Sequence, residues 1–134
     1  DGQDELLGGE GKDTLVGGRH ADALDGGAGG DIFFYERIDD SNASGFDLIS
    51  GFVPGEDVID LHAIDANTKT KANDAFTFIG SDSFSGVAGE LRATRASFVL
   101  GNTTIRADTD GDSDTDLLIR LTFRPLVTEG DLVL

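Results

Sequence analysis

A nine-residue repeat at the start of the chain constrains its fold more than any other feature. Four aspartates follow one another at intervals of nine residues, at Asp4, Asp13, Asp22 and Asp31. Two positions after each aspartate stands a large apolar residue, namely Leu6, Leu15, Leu24 and Phe33. Glycine pairs recur in step with them, at 8–9, 17–18 and 26–27. Three full units and one partial unit in strict register indicate a repeat architecture rather than scattered acidic residues.

The repeat predicts a flattened parallel coil. Each unit supplies a glycine-rich turn and a short strand, so two units complete one coil and equivalent residues stack two units apart. We therefore expect Asp4 above Asp22, Asp13 above Asp31, and Asp22 above Asp40. The turn glycines allow positive φ at little cost, which turns backbone carbonyls inward. The apolar residue of each unit is expected to point into the coil.

The slot between stacked turns is expected to bind Ca²⁺. It would be lined by carboxylates and carbonyls, and an all-oxygen site of tolerant geometry suits Ca²⁺ at about 2.3–2.6 Å. Zn²⁺ prefers His and Cys, whereas the chain has two His and no Cys. One apolar residue per unit makes a thin core that does not offset chain entropy. We therefore expect the repeats to be unfolded without Ca²⁺ and to fold on binding several ions.

Charge and composition narrow the classes of partner. The formal net charge is −16, from 26 acidic and 10 basic residues. Such a polyanion repels nucleic acid and anionic lipid, so we expect neither partner. No apolar run approaches the roughly 18 residues that a membrane span needs, and membrane insertion is not expected. The chain begins in the middle of a repeat, at Asp1-Gly2-Gln3-Asp4, which we interpret as a piece of a longer protein.

One unit departs from the pattern, because His20 stands where the third glycine belongs. Histidine is tolerated better than most residues in a left-handed turn, which is the simpler interpretation. The other interpretation is an imidazole that binds metal. The first is favoured, since the ligand at this position should be the backbone carbonyl.

The chain after the repeats predicts a β-rich cap. The nine-residue step reaches Asp40, which together with Asp47 is a candidate for a terminal calcium site, the alternative being solvated turn carboxylates. Alternating apolar runs predict strands at 47–52, 58–61, 76–79, 97–100, 103–106 and 116–121, with 97–100 and 103–106 forming a hairpin. Five phenylalanines are expected in the core: Phe52, Phe76, Phe78, Phe84 and Phe98. We therefore predict an all-β fold, with a calcium-stabilised parallel β-roll over residues 1–46 and the cap over 47–134.

An acidic loop lies between the last two predicted strands, from Asp108 to Asp116. Its start resembles an EF-hand loop, but Ser113 and Ile119 stand where that motif needs Gly and Glu. Two interpretations stay open. The loop is either a solvated acidic turn or a weaker second calcium site formed by Asp108, Asp110 and Asp112.

The repeats resemble the repeats-in-toxin (hemolysin-type) calcium-binding family. The segments 47–61, 75–80 and 84–92 resemble the C-terminal module of serralysin-type peptidases. This resemblance implies a β-roll and cap behind an unrelated effector domain, with calcium held by repeat aspartates, by turn carbonyls and just past the last repeat. The candidate calcium ligands are Gly2, Asp4, Gly8, Gly9, Gly11, Asp13, Gly17, Gly18, His20, Asp22, Gly26, Gly27, Gly29, Asp31, Asp40, Asp47, Asp108, Asp110 and Asp112.

The ending Glu129–Leu134, an acidic residue followed by apolar ones, resembles the uncleaved signal of type I secretion. The resemblance implies a secreted, extracellular monomer whose partners are calcium ions, an ABC exporter of type I secretion and an upstream effector domain of the same polypeptide.

The chain shows no catalytic constellation, because no H-E-x-x-H or G-x-S-x-G occurs, so the fragment is not expected to be an enzyme. Two alternatives are kept: the end of a large adhesin, and an accessory module that binds a polysaccharide such as alginate. The second would use a basic groove, for which the candidates are Arg92, Arg95, Arg106, Arg120 and Arg124.

Overall fold

The computed structural model describes residues 2–97, 101–123 and 125–134, and within these ranges the chain is almost entirely β-structure. No α-helix occurs in them, and therefore no helix that could cross a membrane. The strands are β1 (Glu5–Glu10), β2 (Thr14–Leu15), β3 (Ala23–Ala28), β4 (Ile32–Phe34), β5 (Asp47–Ser50), β6 (Val58–Asp60), β7 (Thr77–Phe78), β8 (Glu90–Arg95), β9 (Thr103–Asp108), β10 (Leu117–Leu121) and β11 (Leu132–Val133). A short 3₁₀ turn spans Glu129–Asp131. The expected all-β class is confirmed.

Two sheets form the walls of the coil. One has the strand order β1-β3-β5-β10-β9-β8-β7 and the other β11-β6-β4-β2. Successive coils pair in parallel, so that Leu6 lies beside Leu24 in the first sheet and Leu15 beside Phe33 in the second. The predicted stacking of alternate repeats is therefore present.

The parallel ladders continue beyond residue 46. Leu24 pairs with Ile49 of β5, and Phe33 pairs with Ile59 of β6. The chain after the last repeat thus adds one further coil to both sheets before the antiparallel strands begin. The glycine pattern ends earlier than the roll, because this added coil uses longer connections in place of glycine turns.

The apolar residues of the repeats form the core between the two sheets. Leu15, Leu24 and Phe33 are at most 4% exposed, and Ile49 and Ile59 of the added coil are fully buried. Burying an aliphatic side chain of this kind contributes about 1.5–3 kcal/mol. Only Leu6, in the first coil, is partly exposed. One apolar side chain per half-coil is therefore buried as the repeat pattern predicts.

The cap extends the first sheet from β5. Strand β10 lies parallel to β5, with Leu121 beside Ile49, and antiparallel to β9. Strand β8 is the hairpin partner of β9, with Arg95 opposite Thr103. The predicted hairpin partner, 97–100, was wrong, because β8 ends at Arg95; residues 98–100 lie outside the described ranges. Arg92 and Thr94 on the outer face of β8, together with the charged last residue Arg95, hid its alternation, since Leu91 and Ala93 face the core.

The phenylalanines divide between the core and its rim. Phe52 and Phe76 are buried, as expected, and Phe78 packs partly buried against the core. Phe84 is only partly buried, and Phe98 lies outside the described residues. The predicted cap core is therefore confirmed at Phe52 and Phe76.

Candidate metal centre

The aspartates of successive coils are joined by a repeated backbone-to-carboxylate hydrogen bond. The N–H of Asp4 donates to Oδ1 of Asp22 at 2.8 Å, and that of Asp13 donates to Oδ1 of Asp31 at 3.0 Å. Each pair is separated by 18 residues, which is one coil. The expected stacks of Asp4 on Asp22 and of Asp13 on Asp31 are present in the structure.

The same bond continues into the added coil. The N–H of Asp22 donates to Oδ1 of Asp47 at 2.9 Å, and that of Asp31 donates to Oδ1 of Asp57 at 2.9 Å. Two aspartate ladders result: Asp4–Asp22–Asp47 along one edge of the roll and Asp13–Asp31–Asp57 along the other. The carboxylates of Asp22, Asp31, Asp47 and Asp57 therefore each have one oxygen committed to the preceding coil.

One carboxylate oxygen is buried without a hydrogen-bond donor at four of these aspartates. Among the described residues no partner reaches Oδ2 of Asp13, Asp22, Asp31 or Asp47. Asp22, Asp31 and Asp47 are at most 3% exposed. An unpaired buried carboxylate oxygen costs several kcal/mol, so such groups are usually paired or bind metal. The ladders thus present a series of carboxylate oxygens that a bound cation would neutralise.

Glycines keep the space around these oxygens free. A Cβ on Gly17 or Gly26 would collide with Oδ2 of Asp22 or Asp31, the aspartate five residues later. A Cβ on Gly8 would lie 3.0 Å from Oδ2 of Asp13. The unpaired oxygen therefore points at the first glycine of its own turn in three successive units, and a side chain there would displace it.

The turns also stack their carbonyls on one another. Gly29 has φ of +135°, and a Cβ there would collide with the carbonyl oxygen of Gly11 in the preceding coil. Gly27 meets the carbonyl of Gly9 in the same way. Positive φ also occurs at other predicted turn positions, namely Gly2, Gly9, Gly11, Gly18 and Gly27. Carboxylate and carbonyl oxygens are hard ligands without nitrogen or sulfur, which fits Ca²⁺.

His20 takes the backbone conformation of the glycine it replaces. Its φ is +87°, and its ring Nδ1 lies 2.7 Å from the carbonyl oxygen of Arg19 on the exposed surface. The imidazole is thus engaged with its own turn. This geometry supports the interpretation of His20 as a turn residue that contributes its backbone.

Asp40 does not take the ladder position that the nine-residue step predicts, and the expected stack of Asp22 on Asp40 was wrong. The step from Asp22 to Asp47 is 25 residues, longer than the 18-residue step between the repeats, so Asp47 reaches that position instead. Oδ2 of Asp40 accepts the N–H groups of Glu36 and Arg37 at 3.1 and 3.0 Å. Asp40 therefore closes its own turn, although it is only 3% exposed.

Asp40 and Asp47 nevertheless belong to one buried acidic pocket. Burial raises the pKa of Asp47 to about 7, and the charges of Asp22 and Asp40 act in the same direction. Burial also raises the pKa of Tyr35, and Asp47 is the largest of the charges that add to this effect. The structure thus brings Asp22, Asp40 and Asp47 together and adds Tyr35, which the sequence did not indicate as a site residue.

Asp57 is a second residue that sequence reasoning missed. It is buried, and Oδ1 accepts the N–H of Asp31 while Oδ2 accepts the N–H of Val53 at 2.8 Å. Both oxygens are therefore satisfied by backbone donors, and this ladder ends without need of a cation. Asp57-Val58-Ile59 has the same aspartate-to-apolar spacing as the repeats, and so has Asp47-Leu48-Ile49. This spacing is the sequence signal from which the ladder positions of both aspartates could have been predicted.

The acidic loop between β9 and β10 forms a separate cluster. One carboxylate oxygen each of Asp108, Asp110 and Asp116 lie within 4.8 Å of one another, and Asp112 is not in this group. Asp112 is exposed, and its Oδ1 accepts the N–H of Asp114 at 2.8 Å. The two oxygens of Asp108 accept N–H groups from Gly111 and Ser113 at 2.6 and 2.8 Å. The loop thus satisfies its most buried carboxylate itself, and a calcium role here stays a prediction.

Comparison with known proteins identifies the module. The family model described as the C terminal of the M10 peptidase serralysin matches residues 3–134. The chain belongs to the serralysin C-terminal family. Calcium is the ion that modules of this repeats-in-toxin type bind, and the oxygen-only donor set of the ladders fits it.

A solved structure shares the fold of this serralysin C-terminal module. It is the solution structure of the AlgE6R3 subunit from the Azotobacter vinelandii mannuronan C5-epimerase, at a TM-score of 0.65 and 21% identity. The alignment covers 98% of this chain and 67% of that one. At this identity the likeness concerns the fold alone. No curated protein matches the chain.

Proposed function

We propose that this chain is a calcium-triggered folding module of a secreted protein, which supports type I secretion and the folding of an upstream effector domain. One observation carries the proposal. Asp22, Asp31 and Asp47 are buried, accept a backbone N–H of the preceding coil at one carboxylate oxygen and, among the described residues, have no hydrogen-bond donor at the other. A bound divalent ion neutralises these charges and links the coils, so its binding free energy becomes folding free energy.

The charge of the chain makes the folded state depend on calcium. At a net charge of −16 the repeats repel one another, and stacking adds buried carboxylates at close range. Extracellular calcium modules have Kd of about 10⁻⁴–10⁻³ M. The module would then stay extended in the cytosol, where it can thread an exporter, and fold outside the cell. Folding outside the cell would prevent the chain from sliding back through the exporter.

The C-terminus supports the same sequence of events. Leu132–Val133 form β11 and pair in parallel with Ile59 and Asp60. Asp131 is 3% exposed, and its Oδ1 accepts the N–H of Gly55 at 2.7 Å. A signal that an exporter reads must be accessible, whereas here it is integrated into the sheet. We propose that this segment acts as a signal before folding and as a strand afterwards.

The effector of the parent protein is proposed to lie upstream, with this chain carrying no catalysis of its own. A serralysin-like metalloprotease is one candidate parent, and a large adhesin is another. The aspartate ladders and turns of the structure support the calcium-binding role of this module, and they do not distinguish between these parent proteins.

A secretion assay tests this function. A passenger protein is fused before the chain and expressed with a type I exporter, and the passenger is assayed in media with millimolar calcium and with chelator. The proposal predicts secretion of a protease-resistant passenger in calcium and poor recovery in chelator. Equal recovery of folded passenger in both media would contradict it.

A further inference from the structure

The outer face of the cap sheet carries an unusual concentration of positive charge. Arg92 of β8 and Arg106 of β9 are directly opposite each other, and Arg120 of β10 lies diagonally beside Arg106. Their strand neighbours Leu91, Ile105 and Ile119 are fully buried, so the arginines face outward. These three residues, called the arginine row below, are three of only 10 basic residues in a chain of net charge −16.

No carboxylate of the described residues forms an ion pair with the arginine row. The ion pairs of the described chain involve Arg19, Arg37 and His62. Like charges placed opposite each other on a sheet are destabilising. With 26 acidic residues available, the chain nevertheless leaves these cations together. Burial, together with the charges of Arg92 and Arg120, lowers the pKa of Arg106.

The guanidinium groups are held in place by their neighbours. Arg120 lies over the ring of Phe46 at 4.0 Å from its centroid, and Arg92 lies over Phe84 at 5.6 Å. One Nη of Arg106 donates to the hydroxyl of Thr94 at 2.8 Å. Among the described residues, Nε of Arg92 is buried without an acceptor. Cations that are stacked and anchored in this way lose little entropy when they bind an anion.

The ligand that fits this surface carries carboxylates at regular intervals and hydroxyl groups between them. Arginine binds a carboxylate through two parallel hydrogen bonds, and residues that are opposite or diagonal to each other on neighbouring strands lie about 5–8 Å apart. Thr94 and Thr104 are opposite each other on the same face. Their hydroxyls both donate and accept, as sugar hydroxyls require. A nucleic acid is disfavoured, because its charge of about one per 1.7 Å would meet a strongly acidic protein.

We propose that the arginine row is a binding site for a linear glycan that carries one carboxylate per sugar. This site lies on the cap, away from the aspartate ladders, and goes beyond the calcium-triggered folding proposed above. Arg95, which the sequence also suggested, is exposed on the last residue of β8 and is not part of the row, whereas Arg124 lies outside the described residues.

Calorimetry on the full chain in calcium tests the proposal with hexagalacturonate as the probe, at a fixed free calcium concentration. Arg106→Gln is expected to lower the affinity about tenfold, the loss of one charge-assisted hydrogen-bonded contact. Arg106→Lys should keep part of the affinity, because it retains the charge but not the two-pronged geometry. Lys69→Gln, an equal charge change on an exposed loop, should have no effect.

Three results would overturn the proposal. They are no binding by protein whose circular dichroism shows it to be folded, equal weakening by Lys69→Gln and Arg106→Gln, or hexaglutamate binding as tightly as the glycan. The last result would assign the row to an acidic peptide. Because circular dichroism is recorded on the same samples, failure of calcium-triggered folding is distinguished from failure of glycan binding.

Discussion

The backbone N–H of Asp22 donates to Oδ1 of Asp47 at 2.9 Å, across a coil of 25 residues. Asp4 makes the same bond to Asp22 across a coil of 18 residues. The bond is therefore independent of coil length and depends on the aspartate two positions before a buried apolar residue. It orients the carboxylates of Asp22 and Asp31 so that one oxygen is satisfied and the other faces a turn glycine, which is the geometric basis of the proposed metal site.

Replacing a ladder aspartate is expected to separate calcium ligands from structural carboxylates. Asp22→Asn keeps an oxygen that can accept the N–H of Asp4 but removes the charge beside the unpaired position. We expect calcium affinity to fall about tenfold or more, because affinity follows ligand charge. Asp65→Asn is the matched control, since Oδ1 of Asp65 alone accepts the N–H groups of Asn67 and Asp74 and the amide keeps that oxygen. Calorimetry should show its calcium affinity unchanged, and an equal loss in both variants would contradict the assignment.

The stacked glycine turns predict a position-dependent cost for alanine. Gly29→Ala places a Cβ against the carbonyl of Gly11 at φ of +135°, whereas Gly55→Ala, at φ of +84°, meets open space. The second change should cost about 1–2 kcal/mol from backbone strain alone. The first should cost more and should also weaken calcium binding, because the turn moves. Urea unfolding in calcium measures both variants, and equal midpoints would refute close stacking of the turns.

His20→Gly distinguishes the two interpretations of the irregular repeat. Glycine accepts the φ of +87° without strain, so the variant is expected to be more stable by about 1 kcal/mol, with calcium affinity unchanged. Thermal unfolding in saturating calcium and a calcium titration provide the two readings. A clear loss of calcium affinity would instead show that the imidazole is a ligand.

The β-structure of the calcium-free chain is expected to depend on pH. Burial raises the pKa of Asp47 from 3.8 to about 7 in the stacked coils. In chelator the stacked coils are therefore stabilised by protonation at low pH and lose this stabilisation as the pH rises from 3.8 to about 7. Far-UV circular dichroism in chelator should show more β-structure at about pH 4 than at about pH 8.

Asp47→Asn tests the assignment, because it removes the titrating carboxylate. The variant should lose this pH dependence in chelator. A pH dependence that is unaffected by the substitution would place the titrating group elsewhere.

The sequence predicted the parts of the fold that depend on local period. The register of Leu6 with Leu24 and of Asp13 with Asp31 follows from counting two repeats, since each coil has a fixed length there. Counting failed at Asp40, because the next coil is longer and only tertiary pairing shows that Asp47 aligns with Asp22. Tyr35 and Asp57 were missed for the same reason. Their role depends on which groups surround them after the added coil closes.

The polar residues of β8 show a second limit. The strand was not predicted, because Arg92 and Thr94 face outward and Arg95 ends the apolar series of Leu91 and Ala93 on the inner face. Charged residues fit a strand when one face of the sheet is solvated. Which face is solvated depends on the neighbouring strands, which the local sequence does not show. The sequence showed that basic residues accumulate late in the chain. Their alignment on one face became visible only from the register of the strands in the sheet.

Far-UV circular dichroism of the chain during a calcium titration tests the central claim most directly. The account predicts little β-structure in chelator, a cooperative gain of β-structure in the range of about 10⁻⁴–10⁻³ M calcium, and no comparable gain with magnesium. Equal β content in chelator and in millimolar calcium would contradict the claim that buried aspartate oxygens need the ion in order for the coils to stack.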